Sequence, residues 1–242
     1  MSLLSVEHLD ARHGLLVAVR DVSLEIPERE IVALVGANGA GKTTLLRTIA
    51  GAHRPAAGRI ALDGRDITPE RAFRRTKLGI ALVPEGRRLF NAMTVEENLR
   101  VAGRTGRPGR WNLETVLDAF PMLRPLLKRR SGDLSGGQQQ ATAIGRALMT
   151  NPRLLLLDEV SLGLSPVAVT LVYESLQTVI ANGATILLVE QDLGRAMHVA
   201  TRVACMLEGR IVLDGRSSEL GREQITAAYF GLRQTAPHGV RA

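Results

Sequence analysis

The chain has 242 residues, 45% hydrophobic and 23% charged, enough to bury a sizeable core in one large domain or two small lobes. No apolar run approaches the ~18 residues of a membrane helix, and the acidic and histidine residues of "MSLLSVEHLDARHG" come too early for a signal peptide, so the cytoplasm is expected. The net charge of +7 is nearly all arginine and reads as solvated faces, since aromatics at 3% leave few stacking platforms for nucleic-acid bases, while the lone Cys205 excludes an internal disulfide.

Taken in order, 3–9 and 18–26 read as strands, and "IVALVG", 31–36, as a buried strand running into glycines. "TTLLRTIAG", 43–51, reads as a short helix stopped by Gly51. A hairpin around Asp63-Gly64 spans 58–67, and "LGIALV", 78–83, is another buried strand. Thr94 and Glu97 form a T-x-x-E capping box. A turn-rich loop at 104–110 precedes helices predicted at 112–119 and 135–150. Strand 153–157, helix 165–181, strand 184–189 and helix 192–200 alternate, then "RVACML" and "RIVLDG" add two strands. The last helix is predicted at about 217–228, with a frayed tail after Gly231. This alternation argues for an α/β fold with a mostly parallel sheet, and the helix-only stretch at about 93–150 reads as an inserted lobe.

"GANGAGKTT", 36–44, fits G-x-x-x-x-G-K-[ST] between a buried strand and a helix. Gly36, Ala37, Asn38, Gly39, Ala40 and Gly41 supply inward-turning amides for phosphate. Lys42 reaches the β- and γ-phosphates, the Thr43 hydroxyl ligates Mg²⁺, and Thr44 opens the helix whose N-terminus faces the anion. A glycine-rich turn before a helix is the plainer alternative, but the strand–loop–helix context favours a nucleotide such as ATP.

"RLLLLDEV", 153–160, ends a hydrophobic strand in Asp158 and Glu159. Ligands sit beyond the carboxyl ends of parallel strands. There Asp158 can hold Mg²⁺ and Glu159 can polarise a water for attack on the γ-phosphorus. "LSGGQQQATAIGRAL", 134–148, places Ser135, Gly136 and Gly137 at a helix start. That is either simple N-cap punctuation or a second anion site. One nucleotide does not need two cradles on one chain; two chains head to tail use both.

Loop 36–44, signature 134–138 and pair 158–159 together resemble, in order and spacing, the nucleotide-binding subunits of ATP-binding cassette (ABC) transporters. The resemblance implies a P-loop NTPase core with an antiparallel β subdomain and an inserted helical lobe over about 86–150. It covers residues 3–231 as a single ATPase domain, with a tail at 232–242. It further implies that Ser135 and its glycine amides meet ATP held by a partner subunit, a copy or a sister chain. "SLGLSP", 161–166, is similar to the loop that communicates across that dimer. Integral membrane permease subunits, and indirectly a substrate-binding protein, are the implied partners, at the cytoplasmic face of the membrane; no nucleic acid is expected.

Three positions depart from the common family pattern. His13 stands where an adenine-stacking Tyr is usual, with a smaller π-face, and a turn residue before Gly14 is the other reading. Gln191 stands at the usual switch histidine; it can donate an N–H to the γ-phosphate but does not titrate near neutral pH. Glu85, in "LVPEGRRLF", stands where the linking loop usually has Gln, and should face Mg²⁺ or swing toward Arg87 or Arg88. With "VPEGR…F…MTVEENL" and "AAYFG", these positions most resemble an ATP-binding subunit of branched-chain amino acid importers. Relatives that import urea or other amino acids share much of the pattern, and a soluble ABC ATPase acting on nucleic acid is the remoter alternative.

Overall fold

The computed structural model describes residues 2–232. Two sheets form its frame. Strands β1 (Ser2–His13), β2 (Leu16–Pro27), β4 (Ala57–Leu62) and β5 (Arg65–Asp66) make an antiparallel sheet in the order β2-β1-β4-β5. The second sheet contains β3 (Ile31–Val35), β6 (Ile80–Val83), β7 (Leu154–Asp158), β8 (Thr185–Glu190), β9 (Arg202–Leu207) and β10 (Arg210–Arg216). Its order is β10-β9-β3-β8-β7-β6, parallel except for the β10 edge.

Strand side chains alternate between faces, and the sheet has a core on each. Val32 and Leu34 join Leu154, Leu156, Leu187 and Val189 in a cluster with β1, β2, β4 and helix α1 (Lys42–Ile49). Ala33 and Val35 join Leu155, Leu157, Ile186 and Leu188 in the other. That cluster also takes in the helical segment between β6 and β7: α3 (Val95–Gly103), α4 (Leu113–Ala119) and α5 (Gly136–Leu148). Helix α6 (Pro166–Ala181) adds Val172, Leu176 and Val179 to it.

The predicted capping box is present: Thr94 accepts from Glu97 N, and Glu97 accepts from Thr94 N. Two expectations need correction. Helix α2 (Ala72–Leu78) was hidden in an arginine-rich stretch that reads as solvated. Its Arg75 is 1% exposed because the guanidinium donates to four carbonyls, of Thr48, Ile49, Thr68 and Glu70. Two of these end α1, so a buried cation satisfies orphan helix-end acceptors. Burial lowers its pKa to about 10.

The last helix, α8 (Arg222–Phe230), starts later than residue 217. Ser217 is tied instead to the two residues just before β9: its N–H donates to Thr201 O at 3.0 Å and its hydroxyl to Ala200 O at 2.6 Å. The chain turns there and caps α8 at Gly221, whose N–H donates to Gln224. Helix α7 (Leu193–Val199) follows β8 as expected. Of the predicted tail, only Leu232 lies within the described residues.

Candidate functional site

Register brings the site together. β8 lies between β3 and β7, with Val35 opposite Glu190 and Asp158 opposite Val189. The 36–44 loop, the Asp158-Glu159 pair and Gln191 therefore leave adjacent strand ends. β6 flanks β7 with Val83 opposite Leu157, so Pro84 and Glu85 emerge beside them.

The loop closes tightly over the sheet. Gly41 has φ +104°, and a Cβ there would strike the Ala18 carbonyl oxygen; only glycine fits. Gly36 likewise faces the Met206 carbonyl, while Ala37 accepts from Ala40 N at 3.1 Å across Asn38 and Gly39. Lys42, 4% exposed, donates Nζ to Gly36 O at 2.6 Å and Ala37 O at 2.9 Å. Burial lowers its pKa, opposed by Glu159 and Asp158.

Thr43 Oγ1 donates to Asp158 Oδ1 at 3.0 Å. Asp158 is 1% exposed, and its Oδ2 has no hydrogen-bond partner among the described residues. Burial raises its pKa against the opposing Thr43 hydrogen bond, with the charges of Glu159 and Glu85 adding to the rise. A buried carboxylate oxygen without a donor, beside a hydroxyl oxygen, is a donor set suited to a hard cation. No cluster of three or more metal-binding side chains occurs among the described residues, so phosphate or water oxygens must complete any shell.

Glu159 sits at φ +50°, in the left-handed region that β-carbon residues rarely occupy. Its N–H donates to Val189 O at 3.1 Å. Gln191 Nε2 donates to Glu159 Oε2 at 2.7 Å, and Lys42 Nζ lies 4.0 Å from Glu159 Oε1. The carboxylate is thus held from both sides.

His13, at the end of β1, lies over the start of α1. Its Nε2 is 3.1 Å from Thr44 Oγ1, and its ring packs at 4.7 Å against His53. His198, on α7, is exposed.

Among the described residues, the Ser135 side chain makes no hydrogen bond to the phosphate loop. Ser135 caps α5, accepting from Gln138 N, while its own N–H donates to Gln138 Oε1 at 3.0 Å. Gly137 has a packing role that sequence reading missed: a Cβ there would come within 2.8 Å of Ala168 Cβ on α6.

The linking loop also differs from expectation. Glu85 makes no ion pair with Arg87 or Arg88 among the described residues, and it is exposed. Arg87 instead donates to Gln139 Oε1 of α5 at 2.9 Å, while Arg146 of α5 donates to the Arg87 carbonyl at 3.1 Å. Arg87 and Arg88 both have positive φ, at 63° and 50°. The turn aims Arg87 at α5 rather than back at Glu85. The fully buried Asn98 fastens the next stretch, donating to the Phe90 and Thr94 carbonyls and to Ser131 Oγ. A paired arginine beside a glycine carried no readable sign of these partners.

The ABC transporter family pattern matches residues 19–161. The chain belongs to that family. As an ABC ATPase it binds nucleotide and hydrolyses ATP in a transporter subunit, with the antiparallel sheet and parallel core described above. It is 40% identical over 232 residues to the high-affinity branched-chain amino acid transport ATP-binding protein BraG of Pseudomonas aeruginosa, covering 95% of this chain and 100% of that one. It is 37% identical to the probable branched-chain amino acid transport ATP-binding protein LivF of Archaeoglobus fulgidus, covering 90% and 94%. Among solved structures, a nucleotide-free ATP-binding cassette from an ABC transporter superposes with TM-score 0.79 at 29% identity, covering 94% and 95%. No helix among the described residues is long and apolar enough to cross a membrane.

Proposed function

We propose that this ABC ATPase powers import of branched-chain amino acids, working at the cytoplasmic face of the membrane beneath permease subunits. The observation that carries the cargo is the full-length likeness to BraG; Glu85 and Gln191, which mark the same subgroup, support it. Two such ATPases, copies or sister chains, sandwich ATP between loop 36–44 of one and Ser135, Gly136 and Gly137 of the other. The absence of any hydrogen bond from the Ser135 side chain to the loop of its own chain supports this. The lobe at about 86–150 meets the permeases within a single ATPase domain, 3–231.

In the site, the amides of 36–41 and Lys42 bind phosphate, with Lys42 exchanging its two loop carbonyls for phosphate oxygens. Thr43, Asp158 and Glu85 are the residues that would hold Mg²⁺, which would supply positive charge against the phosphates. Glu159 orients the attacking water and accepts its proton, and Gln191 fixes that carboxylate. His13 contacts the adenine edge of the site.

Copurification of membrane partners, followed by ATP-driven uptake in vesicles, tests the reading. Leucine uptake above urea uptake is expected. Urea uptake alone overturns the cargo and leaves the ATPase role standing.

A further inference from the structure

Glu190 ends β8, one residue before Gln191, and the reading above gives it no role. Its side chain is 2% exposed. A buried carboxylate is costly unless it is well paired, and among the described residues no arginine, lysine or histidine forms an ion pair with it. Two hydroxyls satisfy it instead. Ser161 Oγ donates to Oε2 at 3.0 Å, and Tyr173 Oη donates to Oε1 at 2.5 Å.

Each partner comes from a separate element. Ser161 lies two residues beyond Glu159, at the start of the loop into α6. Tyr173 lies on α6, packed against the core cluster. Burial and the Glu190 charge push the phenol's pKa well up, so it stays a donor. The contacts close a ring. Glu159 leads through the chain to Ser161, Ser161 bonds Glu190, Glu190 leads to Gln191, and Gln191 bonds Glu159. Tyr173 ties that ring to α6. Hydroxyl bonds to a carboxylate are short and about twice as strong as neutral ones. Glutamine in its place keeps one acceptor oxygen and turns an NH₂ toward the second hydroxyl.

We infer that Glu190, with Ser161 and Tyr173, is a positioning clamp that sets Gln191 against Glu159 and so places the water-activating carboxylate. The clamp acts through Gln191 and Glu159. It rests on the reading of Glu159 and Gln191 as catalytic.

Steady-state ATP hydrolysis and nucleotide binding by the full-length chain test it, with Tyr173→Phe and Ser161→Ala as mild variants beside Glu190→Gln. Tyr173→Phe and Ser161→Ala should each lower kcat about tenfold, the scale of a small misplacement of a reacting group. KM and nucleotide affinity should stay within about twofold, because ground-state contacts are unchanged. In a Gln191→Ala background, Tyr173→Phe should cost far less than it does alone, since residues acting as a unit are not additive. Wild-type kcat in both mild variants overturns the clamp. So does a Tyr173→Phe loss that multiplies in full with Gln191→Ala, or one that matches a lost folded fraction. A Glu159→Gln control separates the levels. Turnover persisting there overturns the reading of the site and the clamp with it, whereas wild-type turnover in Tyr173→Phe overturns the clamp alone.

Discussion

Gln191 donates to one oxygen of Glu159 at 2.7 Å, and Lys42 stands 4.0 Å from the other. The neutral amide holds the carboxylate without supplying a titrating group, and the buried ammonium supplies charge. In the proposed mechanism, this geometry gives Glu159 the proton transfer and Gln191 its aim.

Glu159→Gln removes the base but keeps the shape. Turnover should fall at least about a hundredfold, the usual worth of a positioned general base. ATP binding should persist and the ATP-bound dimer accumulate. Single-turnover hydrolysis and size-exclusion chromatography with ATP check both, and fast turnover refutes the role.

Gln191→His introduces an imidazole with an ordinary pKa of ~6.5 beside a carboxylate. The log kcat profile should gain a limb near neutrality that wild type lacks from this position. A pH series of ATPase rates for the two proteins reads it directly; superimposable profiles refute the amide's place in the step.

Glu190→Gln has a signed effect on stability. Burial raises the Glu190 pKa above its ordinary 4.5 despite the opposing Tyr173 and Ser161 bonds. The folded chain therefore holds that proton to higher pH than the unfolded chain does, and wild type loses stability as pH rises from 4.5 through the raised value. The variant has no such proton. Its melting temperature relative to wild type should increase with pH over that window, as measured by thermal melts in chelator. A flat difference refutes the raised pKa.

Gly137→Ala places a methyl 2.8 Å from Ala168 Cβ. Overpacking between α5 and α6 should cost ~1–3 kcal/mol. Urea denaturation measures it. Unchanged stability shows that the helices can separate freely, and that the glycine serves only an anion.

Glu85→Gln removes a negative charge that helps raise the Asp158 pKa, after burial itself. Nucleotide affinity should stay within about twofold, or ~0.4 kcal/mol. Uptake per ATP hydrolysed in reconstituted vesicles should change more than hydrolysis does. An equal collapse of ATP binding refutes the coupling role.

Local pattern made much of this legible. The glycine spacing before Lys42-Thr43, the strand ending in Asp158-Glu159 and the Thr94–Glu97 box are short-range features, set by backbone conformation and strand period, and each appears where the sequence placed it. The family itself follows from their order. Other features came only from tertiary structure, because their partners are distant in sequence. Arg75 looked solvated until four carbonyls enclosed it. Arg87 looked like a counter-ion for Glu85 until two positive-φ residues turned it onto Gln139. Gly137 looked like an amide for an anion until α6 pressed against it. Glu190 carried no sign in the sequence, yet it joins Ser161 and Tyr173 across 29 and 17 residues. Buried polar groups must find partners wherever the fold supplies them, and strand order, not residue order, decided which ones these are.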